Sequence, residues 1–290
     1  MMVFLPSYYN SFRCIADKCQ HSCCVGWEIS VDDGTMEKYL ALGRQDILSH
    51  IDEGDIVLCD NGRCPFLEDS GLCRLISELG DSYTSLICQR HPRFYRRVGD
   101  RVECGLGLSC EEACQIVLSS DGYSEFITSD FEGEVAEETD FDTLSHREYI
   151  YSVLKSESLF SEKFLMIKKK YEISNIHSKE EWEEILDSLE YLDEGHKGMF
   201  NPKADYSVGE KYLERFLAYL IFRHVSVADS YDNLRARLGF CLLLCDILAG
   251  YLSSGEHSFD EICDFVRIIS EEIEYSEDNT DSLIFEFEIY

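Results

Sequence analysis

Residues 14–24 read CIADKCQHSCC, which places Cys14, Cys19, Cys23 and Cys24 in the spacing C-x4-C-x3-C-C. Outward from this stretch come Cys59, Cys64 and Cys73, then Cys88, Cys104, Cys110 and Cys114. Eleven of the fourteen cysteines therefore fall in the first 114 residues, and the remaining 176 hold only Cys241, Cys245 and Cys263. A chain of 290 residues can bury enough core to fold without cross-links. Framework disulfides belong to small secreted scaffolds in oxidising compartments, so grouped cysteines here point to metal or redox chemistry.

The opening MMVFLPSYYNSFRC has no basic region, long apolar run or small-residue cleavage site of a secretory signal. The longest apolar candidate, Leu238 to Leu252, is broken by Asp246 and Gly250 and falls short of the roughly 18 residues a membrane span needs. A cytoplasmic protein with reduced thiols and no membrane segment is expected. With 26 basic against 57 acidic residues, net −31, the chain is also unsuited to nucleic acid or anionic membrane, which need clustered Lys and Arg. Residues 90–101, RHPRFYRRVGDR, are the local exception, with five arginines and a histidine against Asp100. They read either as an anion-binding strip or as partners for the surplus carboxylates.

The first half reads as short, loop-rich pieces. A strand is expected over Trp27–Val31, then a helix from about Thr35 capped by Asp32 or Asp33. A hairpin is expected over Cys64–Cys73, helices over Arg74–Leu79 and Ser82–Cys88 before Pro92, and a second hairpin over Val98–Leu108 turning at Gly99-Asp100. Ser109 is placed to cap a helix containing Glu111, Glu112 and Ile116. Asp121–Asp142 is acidic and aperiodic, the pattern of a linker. Apolar residues then recur at three and four spacing in Tyr149–Ile167, Trp182–Leu192, Tyr212–Val227, Leu234–Tyr251 and Phe259–Ile273, which predicts five amphipathic helices. Cys241, Cys245 and Cys263 read as buried apolar thiols among them. The tail IFEFEIY alternates and is expected to be a strand or extended arm. The expected fold is mainly α with small β hairpins: a cysteine-rich metal module over residues 1–120, an acidic linker over 121–142 and a bundle-like helical domain over 143–290.

Thiolates are soft ligands, and four of them complete either a tetrahedral zinc site or an iron-sulfur cubane. No C-x2-C knuckle of the usual structural zinc site occurs, whereas Cys64-Pro65 matches the Cys-Pro of ferredoxin-type ligation. Neither Cys19-x3-Cys23 nor Cys110-x3-Cys114 completes C-x3-C-x2-C, since Gly26 and Val117 stand at the third position, so the radical S-adenosylmethionine motif is missing. The vicinal Cys23 and Cys24 direct their side chains differently, so the pair feeds two sites or one of the two stands behind the ligands. His21 and His91, near the cysteines, are minor ligand candidates.

Four blocks, residues 6–39 (PSYYNSFRCIADKCQHSCCVGWEISVDDGTMEKY), 64–83 (CPFLEDSGLCRLISELGDSY), 87–95 (ICQRHPRFY) and 106–118 (LGLSCEEACQIVL), together resemble the flagellin lysine-N-methylase family with its cysteine-rich zinc- or iron-chelating module. LERFLAYLIFRHV, residues 213–225, is similar to a helix of the family's C-terminal part. The resemblance implies methyl transfer from S-adenosylmethionine to lysine side chains of flagellin or another lysine-bearing protein, by a protein holding an iron-sulfur cluster, 4Fe-4S before zinc. It implies Cys14, Cys19, Cys23, Cys24, Cys64, Cys73, Cys88 and Cys110 as the metal residues, and leaves Cys59, Cys104 and Cys114 outside the pattern. The family's Pro-Glu after the last motif cysteine is Glu111-Glu112 here, and the C-terminal part is shorter. Arg90, Arg93, Arg96 and Arg97 are candidates to bind the methionyl carboxylate of the cofactor, Arg93 first among them. Tyr8, Tyr9 and Trp27 either stack on its adenine or pack the module. A non-catalytic zinc- or iron-chelating binding module is the alternative reading.

Overall fold

The computed structural model of the chain describes residues 2–130 and 141–289. In chain order its elements are β1 (Met2–Pro6), α1 (Asp33–Leu42), α2 (Gln45–Leu48), β2 (Ile51–Asp52), β3 (Asp55–Ile56), α3 (Arg74–Leu79), α4 (Leu86–Arg90), β4 (Arg93–Val98), β5 (Arg101–Leu106), α5 (Glu111–Ser119) and β6 (Phe126–Asp130). Seven helices follow: α6 (Thr143–Leu154), α7 (Phe160–Lys170), α8 (Lys179–Asp187), α9 (Glu210–His224), α10 (Tyr231–Leu252), α11 (Phe259–Ile269) and α12 (Glu277–Ile289). The chain is mainly helical, as its periodicity predicts. It folds as two units: a cysteine unit of Arg13–Phe94 with Cys110–Glu112, and a helical unit of Met1–Phe12, Tyr95–Ser109 and Ala113–Tyr290.

The cysteine unit is built on α1. Asp32 caps it by accepting the Thr35 N–H at 3.0 Å, and Gly43 ends it in the left-handed region that a Cβ disfavours. Residues 27–31 do not form the expected strand; within them only Ser30 makes a bridge, to Asp55, and Val25 before them bridges Arg63. The ladder lies instead in the two-residue pair β2–β3. Cys64–Cys73 closes as a tight hairpin through one bridge, Leu67 to Cys73, and α3 follows where expected. The next helix starts later than Ser82: a single turn of 3-10 helix, Asp81–Tyr83, precedes α4.

In the helical unit the sheet runs in the order β4-β5-β1-β6, with β1 parallel to β5 and antiparallel to β6. Gly99, at φ 60, makes the β4–β5 turn, but the first strand begins at Arg93, so much of the arginine strip is strand. Val3, Leu5, Val102 and Cys104 form the buried face. Phe126–Asp130, within the stretch expected as a linker, is β6; the reading of 131–140 lies outside the described residues. Ser109 does not cap α5, its buried hydroxyl having no partner among the described residues.

The helices gather on α10, which is apolar on nearly every face and buried from Leu238 to Ala249 apart from Asp246. Helices α9, α11 and α12 pack on it. The helix expected over Tyr149–Ile167 is two, because α7 starts afresh at Phe160, where the Glu162 carboxylate accepts the Leu159 N–H at 3.3 Å. Trp182–Leu192 shortens to α8, started by the Ser178–Glu181 box. The tail is helix α12, a correction to the extended arm: Leu283 and Ile284 are buried, and Phe287 stacks on Trp182 with ring centres 5.4 Å apart. Packing overrides the strand-like alternation. No helix among the described residues is long and apolar enough to cross a membrane.

Candidate metal centre

All eight cysteines of the family pattern lie in the cysteine unit, Cys110 included, since Cys110–Glu112 belongs to it. None of the fourteen cysteines forms a disulfide. The local scaffold shows what holds the segments that carry them. Ile29, Val31, Tyr39, Ile47, Ile56, Phe66 and Leu75 form a core with Cys64, and Cys24 and Cys73 pack against it. The Cys64 N–H donates to the Cys24 carbonyl at 2.8 Å, and the Arg74 N–H to the Phe66 carbonyl at 2.8 Å. Helix α1 holds the segment carrying Cys88: Tyr39 Oη donates to the Tyr83 carbonyl at 2.6 Å, and Asp32 Oδ2 accepts the Leu86 N–H at 2.9 Å. Ser85 Oγ lies 3.6 Å from Cys88 Sγ.

Outside that core, Glu111 organises a second neighbourhood. Its Oε2 accepts the N–H of Gln20 at 2.9 Å and of His21 at 3.2 Å, and the Cys19 thiol at 3.6 Å. Cys14 and Cys23 are exposed, and Cys19 and Cys110 half-buried.

Burial pushes the Cys19 thiol up to about 12, with Glu111 and Cys110 adding repulsion. Burial likewise raises Cys64 to about 12, helped by Cys24, Cys73 and Cys88, and raises Cys73 and Cys88. Cys23 donates to Cys24, which raises Cys23 and lowers Cys24 to about 6; Cys110 and Cys14 raise Cys23 further, while Arg63 helps lower Cys24. Every such thiol must shed its proton to ligate a metal, so binding releases protons.

Cys104 and Cys114 fall in the helical unit, where Cys104 donates to Tyr9 Oη at 3.2 Å and Cys114 to the Cys263 carbonyl at 3.2 Å. Cys59 is in the cysteine unit, exposed, on a turn closed by the Gly62 N–H. Of the cofactor candidates, Trp27, Arg90 and Arg93 lie in the cysteine unit, Tyr8 and Tyr9 in the helical unit. Arg96 and Arg97 are also in the helical unit, where burial, with repulsion from Arg223, depresses Arg96 to about 9. Burial also lowers His91, next to the Arg93 charge, to about 4.

The helical unit contains two further polar clusters that composition and spacing do not signal. A π-turn, Ser270–Glu274, continues α11. It aims Glu274 at His224 Nε2, 2.7 Å away, and Glu272 at the N–H groups of Leu192 and Asp193 and at His196 Nδ1, 2.6 Å away. His196, Glu271 and Glu272 bring ligand atoms within 4.8 Å of one another. Arg267 already pairs with Glu271 at 2.5 Å, and both oxygens of Glu272 accept hydrogen bonds, so this trio clasps the loop to the helix.

No family model and no solved structure matches the chain. It is 30% identical over 127 residues to the flagellar biosynthetic protein FliU of Salmonella muenchen, covering 39% of this chain and 75% of that protein. It is 30% identical over 127 residues to lysine-N-methylases of Salmonella typhimurium and Salmonella choleraesuis, covering 39% of this chain. The matched region spans 32% of the length of those two enzymes.

Proposed function

The chain belongs to the family of the flagellar biosynthetic protein FliU and the Salmonella lysine-N-methylases, and from that membership we propose that it methylates lysine side chains of a protein, flagellin foremost. The methyl donor in this reading is S-adenosylmethionine, and the cysteine unit holds an iron-sulfur centre. The observation that carries it is that the eight family-pattern cysteines, from four separate blocks of sequence, fall in one unit.

The chemistry needs little beyond alignment. The lone pair of a neutral lysine amine forms the N–C bond to the sulfonium methyl while the C–S bond breaks and a proton leaves the nitrogen. Arg93 and Arg90 are suited to hold the methionyl carboxylate, and Trp27, in the same unit, offers a face to adenine. A net charge of −31 favours encounter with a lysine-rich partner. Soft thiolates without a C-x2-C knuckle, and the Cys64-Pro65 step among them, favour a 4Fe-4S cluster over zinc. When bound, such a cluster cross-links a unit whose own apolar core is small.

The test is intact-mass measurement of flagellin after incubation with S-adenosylmethionine and the anaerobically metal-loaded protein. One or more added methyls, mapped to lysine, are expected. Unchanged flagellin with fully loaded protein would return the chain to the alternative, a non-catalytic zinc- or iron-chelating module.

A further inference from the structure

The cysteine unit carries the chain's single Asn-Gly step, Asn61-Gly62, in a tight turn with Asn61 exposed. The Gly62 N–H donates to the Cys59 carbonyl at 2.8 Å and the Cys59 N–H to the Arg63 carbonyl at 2.8 Å. With Gly62 at φ 73, this is the three-residue hairpin loop that ends in a bulged glycine. The Asn61 side chain is held in place, its Oδ1 accepting the Arg63 N–H at 3.2 Å. That bond polarises the side-chain carbonyl and steadies the negative charge that builds on Oδ1 when Cγ is attacked. Exposure lets water protonate the departing nitrogen. Nothing crowds the nucleophile, the Gly62 nitrogen: even a Cβ built on Gly62 would come no nearer than 3.7 Å to any residue beyond its chain neighbours. The same turn anchors a short ladder. The Gly26 N–H donates to the Gly62 carbonyl at 2.9 Å, Val25 bridges Arg63, and the Cys64 N–H donates to the Cys24 carbonyl at 2.8 Å.

We propose that Asn61 is a site of spontaneous deamidation whose isoaspartate product loosens the ladder between residues 24–26 and 62–64. Hydroxide takes the Gly62 amide proton, the Gly62 nitrogen forms a bond to Asn61 Cγ, and the Cγ–Nδ2 bond breaks as Nδ2 leaves as ammonia. One water then opens the cyclic imide. Opening at one carbonyl leaves an aspartate; opening at the other leaves an isoaspartate, whose main chain runs through Cβ. The isoaspartate adds one backbone atom directly before the residue whose carbonyl holds Gly26, so the register on that side of the ladder no longer fits. The aspartate adds charge without lengthening the turn. Neither methyl transfer nor a bound metal enters this step.

The experiment ages the full chain under reductant in mildly alkaline buffer and follows all six asparagines by peptide mapping that separates aspartate from isoaspartate. A synthetic peptide of residues 58–66 is the unfolded reference. Asn61 is expected to convert ahead of the other five, and to lag the peptide by no more than about tenfold, the worth of the one hydrogen bond from Gly62 to Cys59. Asn61→Gln is expected to halt conversion, because its longer side chain must close a larger ring. Amide hydrogen exchange at Gly26 and Cys64 is expected to quicken in the isoaspartate form. In Asn61→Asp, whose carboxylate still accepts the Arg63 N–H, both amides should exchange as in the wild type. An Asn61 that converts more slowly than this, or no faster than the other asparagines, overturns the site. An isoaspartate form whose Gly26 and Cys64 amides exchange at the native rate overturns the effect on the ladder.

Discussion

Glu111 holds the backbone of Gln20: its Oε2 accepts that N–H at 2.9 Å, and the neighbouring His21 N–H at 3.2 Å. A carboxylate just after Cys110 thereby fixes the loop leading from Cys19 to Cys23. Glu111→Ala should raise local opening there by about 1–3 kcal/mol, the usual worth of hydrogen bonds to a charged group. Hydrogen exchange at the Gln20 and His21 amides measures this. Unaltered exchange at both amides would show that the loop is held by something else.

His224 is buried against Glu274, and because an ionised carboxylate only accepts, Nε2 carries a proton. Burial pushes its pKa down to about 4 despite the Glu274 bond, against 6.5 when exposed. The unfolded chain therefore takes up the proton first on acidification. The contribution of the neutral ring is complete above about pH 6.5 and is lost as pH falls toward 4, by at most about 3 kcal/mol. In urea titrations the stability gap between the wild type and His224→Asn should shrink over this window. A gap constant from pH 7 to pH 4 would contradict the assignment.

Asp246 behaves in the opposite sense. Desolvation among the apolar residues of α10 raises its carboxyl to about 6, outweighing the Tyr206 hydroxyl that donates to it and the Lys168 charge. With the folded pKa above the unfolded one, the benefit of the neutral acid is full below about pH 3.8 and disappears as pH rises through 6. Asp246→Asn keeps an acceptor for Tyr206 and removes the charge, so it should gain on the wild type by up to about 3 kcal/mol between pH 4 and pH 7. Because His224 and Asp246 oppose each other in overlapping windows, only the difference curves display either. Stability curves for the wild type and Asp246→Asn that run parallel across this range would refute the second assignment.

Gly239 marks where α12 lies on α10. A Cβ there would meet Phe287 Cδ1 at 2.3 Å, too close for any real contact. Gly239→Ala should cost about 1–3 kcal/mol by forcing the ring off its packing, and Phe287→Leu in the same chain should recover part of it. Denaturant midpoints of the two single variants and the double variant give the coupling. Strict additivity would mean that α12 packs elsewhere.

How far the fold is legible follows from which physical signal each element carries. Helices α9, α10 and α11 show their three-and-four apolar spacing openly, and Asp32 marks the start of α1 in advance. Helix α12 is hidden because IFEFEIY alternates like a strand, and only contact with α10 and Trp182 decides its conformation. The β1–β5 and β1–β6 pairings join residues more than ninety positions apart, and nothing local in FITSD announces an edge strand. Cysteine spacing points to a metal module but not to what holds its segments in place. That depends on α1 carrying the Cys88 segment and on Glu111 reaching Gln20, neither of which spacing encodes.

Cys110–Glu112 joins a unit whose other residues all end at Phe94, so the cysteine unit is complete only after Tyr95–Ser109, which belongs to the helical unit, has been made. On the ribosome Cys88 is made about 22 residues before Cys110, a lag of about 1–4 s at ordinary synthesis rates. During that interval the loop after Cys19 lacks the Glu111 carboxylate that receives its N–H groups.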